Sequence, residues 1–228
     1  MAMIKERISR IQDDIHQICQ KLGRKPQDVT LVGVTKYASP DQIQEAIAAG
    51  LKHIAENKVQ EAVQKFPQFS GVTKHFIGHL QANKVKTALQ LVDLIQSIDN
   101  LKLAQEIQKQ AAKLNRQVDI LIQVNTSGEK QKFGIDPQKT LRFIEEISQL
   151  DYIRVLGLMT MAPLTDNEKI IHDCFGFLRK IRDEVAKHFF GSSKVQMKNL
   201  SMGMTDDYKI ALEEGSNMVR IGRAIFGE

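Results

Sequence analysis

The chain has no tryptophan, three tyrosines, two cysteines and five prolines among 228 residues. The tyrosines lie far apart, at positions 37, 152 and 208, so no aromatic platform for stacking single-stranded nucleic acid is expected. Cys19 and Cys174 form no CxxC pair and no metal-ligand spacing, which argues against a disulfide scaffold and fits a reducing compartment. With 42% hydrophobic and 26% charged residues, the composition is that of a packed protein and excludes a disordered or collagen-like chain. Charges at Lys5, Glu6, Arg7, Asp13 and Asp14 interrupt the opening segment, so neither a signal peptide nor a membrane span is expected, and the protein should be cytoplasmic. The 32 basic and 27 acidic residues give a net charge of +5, but the two signs are interleaved, and no basic stripe for nucleic acid is visible. GxSxG, GxxxxGK[ST] and GxGxxG are also missing, which removes the common hydrolase, P-loop and dinucleotide-binding readings. His53, His75 and His79 share no helical face with a carboxylate, so no metal site is expected.

What is present is a regular alternation of short apolar runs and amphipathic stretches. Ile4, Ile8, Ile11, Ile15, Ile18 and Leu22 recur at steps of four and three, the stripe of a helix that Gly23 ends. VTLVGVTK then reads as a strand, and Ser39-Pro40 as the cap and first residue of the next helix. The same unit recurs through KHIAEN, HFIGHL, DLIQSID, VDILIQVNT, RVLGLMTM and VQMKNLSMGM, and the chain closes on NMVRIGRAIFG. Strand ends are expected at Lys36, Asn57, His79, Asp99, Asn125, Thr160, Ser201 and Gly222. Eight apolar strands separated by helices predict an α/β fold, a closed (β/α)₈ TIM barrel over residues 1–228 with one extra N-terminal helix on its outside or bottom. An open doubly wound sheet is the competing topology.

In such a barrel, reacting groups gather where strands end. Lys36 is delivered to the mouth by LVGV, and partial desolvation there would favour the neutral amine that attacks carbonyls; a lysine snorkelling off the rim is the alternative. In LSMGMT, Ser201 and Thr205 supply hydroxyls and Gly203 a close backbone approach, while the Gly222 and Arg223 amides could complete an anion cradle on strands 7 and 8. Arg220, two residues before Gly222, should point inward, either toward a ligand or into an ion pair with Glu56 or Asp99. Asn57 and His79 could bind a ligand, although capping is the ordinary role for such an Asn. Met159, Met161, Met202 and Met204 read as barrel filling, and Cys174 as core packing.

Taken together, VGVTKYAS, IAENKVQEA, FIGHLQANK, GLMTM, LSMGMTDDY and VRIGRAIFG, in this order along nearly the whole chain, resemble the YggS/PROSC family of pyridoxal 5′-phosphate-binding homeostasis proteins. The resemblance implies a barrel similar to the N-terminal domain of alanine racemase with pyridoxal phosphate in its mouth. It further implies an internal aldimine on Lys36, phosphate contacts from Ser201, Thr205 and the Gly222 amide, Arg220 against the pyridine nitrogen, and Asn57 near the ring hydroxyl. A guanidinium at that nitrogen makes the ring a poor electron sink, so a carrier or regulator in vitamin B6 and amino-acid homeostasis is expected rather than an enzyme. Amino acids and apo-enzymes that use the cofactor are the expected partners, and the chain should be a monomer. Racemases of similar fold take a second base, a tyrosine, from a separate β-domain for which 228 residues leave no room, so two-base racemisation should be absent or feeble. The rival readings are an amino-acid racemase and a Schiff-base lyase or aldolase, the latter with Glu56 as its acid or base.

Overall fold

The computed structural model describes residues 3–129 and 131–227. Helix α1 (Ile4–Lys21) buries Ile4, Ile8, Ile11, Ile15 and Cys19. Its apolar stripe ends at Cys19, because Gly23 takes φ 64° and turns the chain away, which leaves Leu22 exposed. The expectation that Leu22 belongs to the buried face is corrected on that ground.

Eight strand–helix units follow. They are β1 (Thr30–Val34) with α2 (Pro40–Ala48), β2 (His53–Glu56) with α3 (Val59–Lys65), β3 (Thr73–Phe76) with α4 (Val85–Leu89), and β4 (Leu94–Ile98) with α5 (Leu101–Lys113). Then come β5 (Val118–Gln123) with α6 (Thr140–Ser148), β6 (Ile153–Met159) with α7 (Glu168–His188), β7 (Val195–Ser201) with α8 (Tyr208–Glu213), and β8 (Met218–Ile221) with the short α9 (Arg223–Phe226). At α2 the expected cap is present: the Ser39 hydroxyl accepts from the Gln42 amide, the Gln42 side chain accepts from the Ser39 amide, and Pro40 follows.

The strands run parallel in the order β1 to β8 and close as a barrel. The closing pair, β1 with β8, holds Thr30 opposite Met218 through Gly33 opposite Ile221, which rules out the open sheet. Helix α1 lies across this seam. Its Asp14 accepts from the Tyr208 hydroxyl at 2.5 Å, Arg7 donates to the Ile225 carbonyl, and Glu45 accepts from the Ile4 amide. Most of the expected strand-end residues sit just beyond the strands, Lys36 by two positions and His79 by three, because they belong to the loops that turn into the helices.

Parity along each strand separates two cores. Ile54, Ile95, Ile120, Ile122, Leu158, Leu200, Val219 and Ile221 face the helices. Val32, Ala55, Leu94, Leu121, Met159 and Met218 fill the barrel interior, with Met161 against them. Met202, however, packs in the outer layer and Met204 is exposed, so two of the four methionines expected as barrel filling are not inside it. Among the described residues no helix is long and apolar enough to cross a membrane.

Candidate functional site

The mouth is built from loops whose anchors lie beneath it. Lys36 leaves β1 half-buried, with its Nζ 5.0 Å from the Tyr37 ring centroid and no hydrogen bond or ion pair to any described residue. The preceding residue is held firmly. The Thr35 amide donates to the Ala55 carbonyl, its hydroxyl donates to Glu56 Oε1 at 2.7 Å, and its carbonyl accepts from Lys65 Nζ at 2.7 Å. Lys65 also donates to Glu56 at 2.9 Å and to Glu61 at 3.0 Å. Burial disfavours the Lys65 charge, but hydrogen bonds and charge attraction from Glu56 and Glu61 outweigh it and raise its pKa above the ordinary lysine value.

Glu56 is two positions from Ile54 and so lies on the outer face, fully buried against Lys65. This corrects two expectations: Glu56 does not pair with Arg220, and it is not an acid or base aimed at Lys36. Asn57, the next residue, has its Oδ1 buried without a partner. It does not cap α3, whose N-cap is Lys58 with no side-chain bond, so the capping reading of Asn57 is also corrected. Gly78 presses on its backbone; a Cβ there would fall 1.9 Å from the Asn57 carbonyl oxygen. His79 is exposed and stacks on Phe133 at 4.3 Å.

On the far side, Arg220 points into the barrel as its parity demands, and it is almost completely buried. Its Nη1 donates to the Ser201 hydroxyl at 2.7 Å and its Nη2 to the Thr160 carbonyl at 2.9 Å. Burial lowers its pKa to about 10, partly opposed by the charge of the Asp207 carboxylate, and the ion pair expected with Glu56 or Asp99 is not formed. Asp99 instead accepts from Asn100. Asp207 itself is raised by burial, against which the Met204 amide, donating at 2.6 Å, and the charge of Arg220 stabilise the carboxylate.

Ser201 serves Arg220 from below. Its hydroxyl accepts from Arg220 and donates to Gln96 Oε1 at 2.7 Å, so its one proton is already committed inside the barrel. Gly203 has φ +97°, and a Cβ would meet Ala211 at 2.6 Å; this glycine is required by the turn and by contact with α8. Thr205 Oγ1 accepts from the Ala224 amide at 3.4 Å, which joins the β7 loop to the start of α9. Gly222 opens α9, and a Cβ on it would lie 3.3 Å from the Val34 carbonyl oxygen, so the end of β8 meets β1 just before Lys36 departs. Lys36, Gly222 and Thr205 thus come from adjoining parts of one rim, with Arg220 beneath it.

The residues sequence reasoning missed are those inside the barrel. Gln96, His75 and His53 form a continuous hydrogen-bonded row with Ser201. Gln96 is two positions from Leu94 and His53 two from Ala55, so the parity that turned Arg220 inward would have placed them too.

The fold and this mouth define the class: the alanine racemase N-terminal domain family matches residues 7–228. Alanine racemase of Clostridium difficile 630 superposes with a TM-score of 0.78 at 14% identity, with 99% of this chain and 56% of the racemase covered, a likeness of fold alone. A pyridoxal phosphate homeostasis protein of Aquifex aeolicus is 40% identical over 98% of this chain and 97% of its own length. PipY of Synechococcus elongatus, solved with PLP bound, is 30% identical with a TM-score of 0.84, over 98% of this chain and all of PipY. The chain belongs to the pyridoxal phosphate homeostasis proteins of this family.

Proposed function

We propose that this chain holds pyridoxal 5′-phosphate in the barrel mouth and serves vitamin B6 and amino-acid homeostasis as a binding protein. The observation that carries the reading is a set of unmet bonding groups at the mouth: among the described residues, a Lys36 amine with no hydrogen-bonding partner, a buried Asn57 Oδ1 with none, and, beneath them, a buried guanidinium that uses two of its donors on protein oxygens. PipY, solved with the cofactor, supports it. The cofactor's aldehyde supplies an electrophile for reversible condensation with an amine, and Lys36 is the amine at the site. Asn57 faces the ring edge. Arg220 carries a full charge and offers only donors, so a ring nitrogen beside it stays unprotonated and carbanion chemistry gains little.

Thr205 and the Gly222 turn receive the phosphate. Ser201 takes a different part from the one the resemblance implies: with its hydroxyl donating to Gln96 Oε1 it offers only an acceptor lone pair, which an anion does not bind. It holds Arg220. The aldolase reading loses its acid or base because Glu56 faces outward. Amino acids, as amines able to displace Lys36, and apo-enzymes remain the proposed partners, for a monomer in the cytoplasm.

The test is the visible spectrum of the purified, cofactor-loaded protein before and after borohydride, followed by mass mapping. A reduced adduct on Lys36 supports the reading, and an adduct elsewhere overturns the site. Lys36→Ala should abolish the reducible adduct while leaving weak, reversible binding through the phosphate contacts.

A further inference from the structure

We infer that His75 and Gln96 are positioning residues that hold Arg220, through Ser201, in a one-way hydrogen-bond chain ending on His53 at the opposite end of the barrel. The inference rests on the cofactor reading only for what Arg220 faces; the chain itself follows from the side chains. A guanidinium can donate but never accept. Because Arg220 donates to Ser201 at 2.7 Å, the serine proton must go to its other partner, Gln96 Oε1, also at 2.7 Å. That fixes the amide with its oxygen toward Ser201 and its nitrogen toward His75 Nδ1, 2.8 Å away. Met218 Sδ, 3.3 Å from the same nitrogen, confirms the orientation, since a thioether sulfur accepts and does not donate.

The rest of the direction follows. His75 Nδ1 accepts, so its ring proton is on Nε2, which donates to His53 Nδ1 at 3.0 Å. His53 must then carry its own proton on Nε2. Both rings are held neutral in one tautomer by an arginine at the far end of the row. His53 lines a cavity of about 420 Å³ under the barrel, with Gln12, His16, Thr30 and Lys52, so the row begins at an opening and ends at the mouth. Burial of His75 agrees with this, since it opposes a charge on the ring.

Reversal would be costly. A proton on His75 Nδ1 would face the Gln96 NH₂, and turning the amide to accept it would leave Ser201 with two donors aimed at its oxygen and no acceptor for its own proton. Any group that breaks the row therefore loosens Arg220.

Nitrogen-15 NMR of the histidine rings in the full-length protein, without and then with pyridoxal phosphate, tests the chain. Both rings should be neutral with the proton on Nε2 at pH 7; an Nδ1 proton on His75, or a cationic ring, overturns the inference. Gln96→Leu should weaken pyridoxal phosphate about tenfold and shift the absorption of the bound cofactor, as expected for losing the support of a charged donor. Gln96→Glu keeps an acceptor for Ser201 but cannot donate to His75, so it should move the His75 proton to Nδ1 and retain more of the cofactor affinity than Gln96→Leu does. Unchanged affinity and spectrum in Gln96→Leu would contradict the positioning role. If the parent protein takes up no pyridoxal phosphate, the cofactor reading fails, and the ring protons still decide the chain.

Discussion

At the scale of single residues, the site depends on groups that never reach the mouth. Lys65 is one. Its ammonium ties the Thr35 carbonyl to the Glu56 carboxylate, and so fixes the backbone of the residue before Lys36 against the side chain of the residue before Asn57. Lys65→Met removes the counter-charge of a fully buried carboxylate and should cost about 3–5 kcal/mol; urea denaturation checks it, and a loss under about 1 kcal/mol would put the pair among weak surface bridges. Gly78 is the other. With a Cβ placed 1.9 Å from the Asn57 carbonyl oxygen, Gly78→Ala must shift the strand end that carries Asn57. We expect a loss of about 1–3 kcal/mol, read from thermal or chemical melting, together with weaker cofactor uptake. Neither residue was legible beforehand. Glu56 looked like a mouth carboxylate because it ends an apolar strand, and only the parity from Ile54 shows that it faces a helix.

At the scale of elements, the seam between β1 and β8 is where the barrel closes and where the site is assembled. Helix α1 covers it through Asp14, whose carboxylate accepts from Tyr208 and from Lys209 at 2.9 Å. Burial raises the Asp14 pKa, but these two partners outweigh it and hold the group below its ordinary value. Truncating the apolar face beneath, as in Ile8→Ala, should cost about 2–5 kcal/mol in a chemical denaturation curve; a neutral result would mean that α1 is not part of the cooperative fold. The elements themselves were legible in the sequence: hydrophobic periodicity marked α1, the Ser39-Pro40 cap marked α2, and eight apolar runs marked eight strands. What periodicity could not supply was side-chain destination past the strand ends. Asn57 looks like a cap by type but makes none; Met202 follows the inward Ser201 and so faces outward by parity, and Met204 lies past the turn at Gly203, exposed.

At the scale of the whole molecule, a barrel usually filled by apolar layers carries a polar row through its interior, from His53 to Arg220. Such a row makes stability depend on pH. Burial, with His53 adding to it, lowers the His75 pKa to about 3, and burial also lowers that of His53. The folded state therefore refuses protons that the unfolded chain accepts. The contribution is complete above the unfolded value near 6.5 and is lost as pH falls toward about 3, at about 1.4 kcal/mol per pH unit for His75 once the unfolded ring is protonated. Urea denaturation between pH 7 and pH 4 should show this slope, and His75→Leu should flatten it; an unchanged slope would remove His75 as its source. Parity alone would have turned His53 and Gln96 inward, but which strands bring them within hydrogen-bond reach of His75 and Ser201 is set by the closed barrel and not by any one strand's pattern.

In the proposed site one amine, Lys36, and one anion-binding turn share a rim above a buried arginine. Borohydride reduction of the cofactor-loaded protein followed by peptide mass mapping tests this arrangement most directly. A single reduced pyridoxyl adduct is expected on the peptide containing Lys36, and it should disappear in Lys36→Ala. A pyridoxyl group mapped to another lysine, or none on a protein that binds the cofactor tightly, would contradict it.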